Sequence, residues 1–261
     1  MHIEILTALT TAASTGAAAA AASGDSLTLR AGRPGSKVRL LTLWHTTQAA
    51  GSLKVIGPGF SDTSRGLYFP SISGGGLPLW PADVGEEMYP QDTLSITHVG
   101  SATAGDIEHS SLLLLYEDTP GINGRFLDAN GLRARARRTV TVYATLSSGT
   151  AGGYSGSEAI NAESDLLRPN TEYALLGGVN IVAAHAIGVK SPDWGNVRVG
   201  WPGVTGIPQI TGRWFAWLSE TAGLPLIPVF NSGNKAGVLL DCVQDENGAD
   251  PIVALNLVEL A

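Results

Sequence analysis

The chain has 261 residues, a formal net charge of −7 and 15% charged side chains, against a usual share of about 25%. Its 44% hydrophobic content excludes a disordered chain, and its acidic balance excludes a generally basic nucleic-acid coat. Gly and Pro together reach about 18%, against about 12% on average, which favours many short strands joined by turns over long helices.

In chain order, residues 3–9 read as a first strand and not as a secretory leader, because they carry Glu4 and follow no basic stretch. The alanine run at 17–22 reads as a linker or a short helix after that strand, with helix the preferred state from alanine's propensity. Alternation and β-branched content predict strands at 27–29, 37–44, 53–56, 93–98 and 111–117. A linker follows at 118–130, with Pro120, Gly121 and Gly124. Further strands are predicted at 139–146, 173–183, 187–190, 196–199, 238–243 and 252–260. Arg33-Pro34-Gly35, Gly57-Pro58-Gly59, Asn123-Gly124, Asn130-Gly131 and Asn247-Gly248 carry turn chemistry. Residues 210–222 place Trp214, Trp217 and Leu218 at helical spacing, with a strand over 213–218 as the open alternative.

The chain also repeats itself. Ile3-Glu4-Ile5-Leu6 resembles Val140-Thr141-Val142-Tyr143, and Arg33-Pro34 with Leu40-Leu41 matches Arg168-Pro169 with Leu175-Leu176. The segment 54–60 echoes 189–194, and Gly66–Pro70 echoes Gly200-Trp201-Pro202. Gly76-Leu77-Pro78-Leu79-Trp80-Pro81 matches Gly223-Leu224-Pro225-Leu226-Ile227-Pro228, and 112–117 matches 252–259. Each match alone is weak, but their shared order predicts two copies of one fold, 1–128 and 129–261. At that size each copy suits an eight-stranded β-sandwich. The fold class is therefore all-β, with few short helices.

Catalytic and metal patterns are sparse. One cysteine, Cys242, excludes an intrachain disulfide and reads as a small buried hydrophobe. The histidines His2, His45, His98, His109 and His185 are scattered, without ligand spacing. His45 and His185, 140 residues apart, read as structural or interfacial. Gly153-Tyr154-Ser155-Gly156-Ser157 lacks the final glycine of a nucleophile elbow. Glu86-Glu87 and the Asp245–Asp250 stretch supply carboxylates, the latter a solvated turn in preference to a calcium loop. No catalytic residue, cofactor or metal is expected. The six tryptophans could stack sugars on an open face, but core or interface packing is the preferred reading.

One charge pattern stands out. Arg133, Arg135 and Arg137 alternate, with Arg138 adjacent. On an extended strand the first three would share a face. Two readings stay open: an edge strand guarded by charge or a solvated face, or an interface or inner-surface patch that meets acidic groups of a neighbouring subunit, lipid head groups or packaged nucleic acid.

Two similar all-β halves of this size, carried by the paired segments 33–34/168–169, 76–81/223–228 and 112–117/252–259, resemble the double jelly-roll major capsid proteins of tailless icosahedral viruses and phages. The resemblance implies two tandem jelly-roll β-sandwiches. It also implies a homotrimer whose six rolls form a pseudo-hexagonal capsomer. Neighbouring capsomers and other capsid proteins, such as a vertex protein, would be its partners, with no sequence-specific nucleic acid. Many such shells enclose a lipid membrane. The location implied is the virion capsid, assembled in host cytoplasm. Two other functions are weighed below this one: a phage tail, spike or decoration protein or a carbohydrate-binding sandwich, recognisable by glycan binding through Trp194 or Trp201, and a hydrolase using Glu86, Glu87 or Asp245.

Overall fold

The computed structural model describes residues 1–11, 17–19, 21–23, 27–46, 51–59, 66–71, 87–99, 107–122, 124–147, 154, 157–160, 166–180, 184–203, 208–244 and 250–261. The chain divides into two compact units, the first built on Ile3–Pro120 and the second on Gly121–Thr150 and Tyr154–Ala261. Among the described residues no helix is long and apolar enough to cross a membrane.

The first unit contains β1 (His2–Thr11), β2 (Ala17–Ala19), β3 (Ala21–Ser23), β4 (Val38–Thr46), β5 (Gly51–Ile56), β6 (Leu67–Ser71), β7 (Glu87–Met88), β8 (Ser95–Val99) and β9 (Ile107–Tyr116). Its two sheets run β3-β1-β9-β4-β7 and β2-β8-β5-β6. With β3 set aside as an extension of the β1 edge, eight strands pair first with eighth, second with seventh, third with sixth and fourth with fifth. This nested pairing, split over two facing sheets, is a jelly roll. One parity of the strands supplies a shared cluster, with a register shift on β4 that sets Leu40 and Leu43 three residues apart, while the other parity, with Leu41, Leu113 and Leu115, is buried as well. Leu40 and Leu43 on β4, Val55 on β5, Ile96 on β8 and Leu112 and Leu114 on β9 belong to one buried cluster.

The second unit contains β10 (Phe126–Leu127), α1 (Ala129–Arg135), β11 (Ala136–Thr145), β12 (Glu158–Ala159), β13 (Glu172–Asn180), β14 (Ala184–Lys190), β15 (Val199–Pro202), α2 (Pro208–Thr211), α3 (Trp214–Ala222), β16 (Ile227–Asn231), β17 (Leu239–Gln244) and β18 (Ile252–Leu260). Its sheets run β10-β16-β13-β18-β11 and β12-β17-β14-β15. Once β10 is set aside, the strand order is that of the first roll. The repeated sequence segments fall on equivalent strands: β1 and β11, β4 and β13, β5 and β14, β6 and β15, β9 and β18. Residues 76–81 lie outside the described residues. The core here is aromatic, with Trp194, Trp201, Trp214, Phe215, Phe230 and Tyr173 all fully buried.

Several local expectations differ from the structure. The described alanines of this run, Ala17–Ala19 and Ala21–Ala22, form strands, not a helix, because β2 pairs with β8 and β3 with β1. Sheet pairing outweighs a propensity worth less than about 1 kcal/mol per residue. Residues 129–135 form a helix where alternating arginines suggested a strand. Asp128 caps it by accepting the Gly131 N–H (2.5 Å), so Asn130-Gly131 lies inside α1 and not in a turn. The strand expected at 196–199 starts only at Val199, since Asn196 adopts a left-handed turn conformation (φ 57°). The helical option at 210–222 is the one adopted, split into α2 and α3 and ended by Gly223 in the left-handed region. Gly177 on β13 (φ 142°) sits at a bulge, and a Cβ there would lie 2.2 Å from the Thr211 carbonyl oxygen, so glycine is what lets α2 approach the sheet.

Candidate functional site

The four arginines lie where α1 runs into β11, at one end of the larger sheet of the second roll. Register decides their partners. Arg138 on β11 stands opposite Glu259 on β18, and Glu259 stands opposite Tyr173 on β13, so the end of β18 and the starts of β11 and β13 converge. Arg138 Nε donates to Glu259 Oε2, and Arg168 Nη1 donates to the other oxygen at 2.9 Å. The Glu259 side chain is 1% exposed. The hydrogen bond from Arg138, the larger cause, and the charge of the arginines hold its carboxyl below the ordinary range. Arg135 Nη2 donates to Glu172 Oε2 at 2.5 Å, and Arg125 Nη1 donates to Glu172 Oε1 at 2.8 Å. Arg135 also donates to the Ala261 carbonyl. Arg133 Nη2 donates to Glu220 Oε1 of α3 at 2.6 Å.

Arg133, Arg135 and Arg137 therefore do not share one strand face, since the first two lie on α1 and the third on β11; Arg133, Arg135 and Arg138 are each matched by a carboxylate of their own chain. Arg137 is exposed and makes no ion pair among the described residues. Six arginines share Glu172, Glu220 and Glu259, so the region remains net positive despite the chain's −7. Sequence alternation located this cluster but hid the carboxylates, which lie between 37 and 121 residues away along the chain.

Other sequence candidates resolve differently. Trp194, Trp201 and Trp214 are 0% exposed, so none presents a face to a sugar. Trp201 meets Phe215 edge-on with ring centres 6.0 Å apart. Cys242 is buried on β17, as a small hydrophobe should be. Ser155, Glu86, Trp80 and residues 245–249 lie outside the described residues.

Histidines scattered in sequence converge in the first roll. His45 on β4, His98 on β8 and Glu108 on β9 bring one donor atom each to within 4.8 Å of one another. The His45 and His98 rings stack at 4.7 Å. Burial keeps the histidines neutral, lowering His45 to about 4, His98 to about 3 and His109 to about 4, with mutual repulsion adding to the shift of His98 and His109. The missed signal is parity: each residue of the trio continues a core-facing leucine or isoleucine series at a two-residue step. His45 and His185 are not equivalent, since one lies on the third strand of its roll and the other on the fourth.

No protein-family model matches the chain, and no curated protein does. Among solved structures, the chain is similar to the PBSX exported protein XepA at 10% identity, covering 98% of this chain and 86% of that one (TM-score 0.22). It is similar to the major capsid protein P2 of bacteriophage PM2 at 10% identity, covering 99% and 98% (TM-score 0.23). A Macrobrachium rosenbergii nodavirus structure matches at 9% identity, covering 98% and 89% (TM-score 0.23). Likenesses at this level carry no functional inference.

Proposed function

We propose that the chain is a structural and not a catalytic protein: a major capsid subunit of a tailless icosahedral virus or phage, located in the virion and assembled in host cytoplasm. The observation that carries this reading is the duplication. One chain holds two jelly rolls with the same strand order and the same nested pairing. Two like sandwiches in one polypeptide offer two sets of similar edges, and threefold association of such chains gives six. Closed cyclic symmetry then needs few contact types. The low charge content, 15%, suits a protein that buries much of its surface against copies of itself, since interface cores are depleted in charge. The partners are further copies of the chain and, as for the family it resembles, a vertex protein; many shells of that family enclose a lipid membrane.

The test is the native mass of the purified protein together with electron microscopy of concentrated material. Three chains of 27.0 kDa predict a species of about 81 kDa that goes on to form closed shells or hexagonal sheets. A protein that stays at the mass of one chain under all assembly conditions would overturn the reading.

A further inference from the structure

We propose that His45, His98 and Glu108 form a binding site for a divalent transition-metal ion of the zinc type, which ties together the two sheets of the first roll. The inference goes beyond the capsid reading and does not depend on it.

The strands themselves aim the three side chains. The core-facing positions of β4 pass through Leu43 to His45, those of β8 pass through Ile96 to His98, and those of β9 pass back through Leu112 and Ser110 to Glu108. His45 pairs across the ladder with Ser110, two residues from Glu108, so both ligands project from the same face of one sheet. His98 comes from the facing sheet. Where the apolar series ends, three ligating groups meet from opposite walls.

The chemistry of the three groups suits a metal. The side chains of His98 and Glu108 are 0% and 4% exposed. Both ring nitrogens of His45 are shut off from solvent and find no hydrogen-bond partner among the described residues, a state that buried polar groups rarely keep. His98 Nε2 lies 3.0 Å from Ser110 Oγ. That bond suits the tautomer with the proton on Nε2, leaving the Nδ1 lone pair free. Nδ1 lies 3.8 Å from Glu108 Oε2, too far for a hydrogen bond and close to the separation of two ligands on one ion. Tetrahedral bonds of about 2.0–2.1 Å place ligand atoms roughly 3.3 Å apart, so modest side-chain rotation closes the set. Neutral imidazoles are the form that binds metal. Two nitrogens and one carboxylate favour zinc and its transition-metal neighbours over calcium or magnesium, which prefer all-oxygen shells. Ser110 then serves as the outer hydrogen-bond partner that fixes the His98 ring. The second roll, with the same strand order, holds no such group among its described residues.

The experiment strips the full-length protein of metal with a chelator, then titrates it with Zn²⁺ and, separately, with Co²⁺ as a spectroscopic probe and Ca²⁺ as a control. The expected result is one equivalent of Zn²⁺ per chain, a cobalt absorption band typical of a four-coordinate nitrogen–oxygen site, and a rise in melting temperature with Zn²⁺ but not with Ca²⁺. His45→Gln and Glu108→Gln should abolish the stoichiometric site, and Ser110→Ala should weaken it about 10-fold. Wild-type protein that takes up no zinc, or takes it up with neither a cobalt band nor a melting shift, overturns the site. So does zinc bound equally well by folded Gln variants. Should those variants fail to fold, the wild-type cobalt spectrum and Ser110→Ala decide the matter.

Discussion

Arg198 and Asp241 form an ion pair sealed inside the second roll, with side chains 7% and 3% exposed. Arg198 Nε donates to both carboxylate oxygens, at 3.1 and 3.2 Å, and Nη2 donates to Oδ2 at 2.9 Å. The guanidinium lies 3.9 Å from the centre of the Tyr154 ring. Gly188, opposite Asp241 in the ladder, makes the room: a Cβ there would fall 2.2 Å from Asp241 Oδ1. Leaving one buried charge uncompensated costs far more than losing an exposed pair. Asp241→Ala is therefore expected to lower stability by about 3–5 kcal/mol, while Glu220→Ala, which removes the exposed partner of Arg133, costs about 0–1 kcal/mol. Denaturant titration of both variants checks this, and equal losses would count against it. Nothing in the local sequence marks residues 198 and 241 as partners, because the pair is made by the packing of β14 between β15 and β17.

At the scale of elements, Glu259 at the end of β18 ties β11, through Arg138, to the segment that leads into β13, through Arg168. Its carboxyl is depressed below an ordinary value near 4.5, so the sign of the pH effect follows. The stabilisation is fully present above that ordinary value and is lost as pH falls through the depressed one. The stability difference between wild type and Glu259→Gln should be largest near neutrality and shrink in acid below about pH 5. Unfolding midpoints across pH 7 to 2 test this, and a difference that stays constant with pH would refute it. The same region shows how far element types can be read locally. The β11 pattern, with Val140, Val142 and Ala144 buried and Tyr143 exposed, is plain alternation, legible at once. The helix just before it was not legible from the arginine spacing, because one capping carboxylate, Asp128, decided the backbone. Strand β2 was hidden for the opposite reason: its partners on β8 are 78 to 82 residues away, beyond any local window.

At the scale of the whole molecule, the duplicated roll is the feature from which assembly is inferred. Arg137 is the arginine of the cluster to probe, since it is exposed and its replacement breaks no ion pair described within the chain. Arg137→Glu is expected to leave the circular dichroism spectrum and melting temperature unchanged while reducing capsomer or shell yield at least several-fold. Normal particles from this variant would remove the arginine cluster from the assembly surface. Arg135→Glu is a poorer probe, because it also breaks the contact to Glu172. The two-copy organisation was legible because equivalent strands kept similar residues in the same order, from Ile3–Leu6 against Val140–Tyr143 to the final strands.

By itself the sequence determined the all-β class, the two copies, most strand positions and the basic cluster, because each is written in local alternation or in ordered repetition. Tertiary structure alone decided which carboxylates answer the arginines, which tryptophans are withdrawn from solvent, and that His45, His98 and Glu108 converge. Those outcomes depend on strand register and on the closure of two sheets face to face. Both are set by pairings between residues far apart in the chain, where spacing along the sequence carries no distance information.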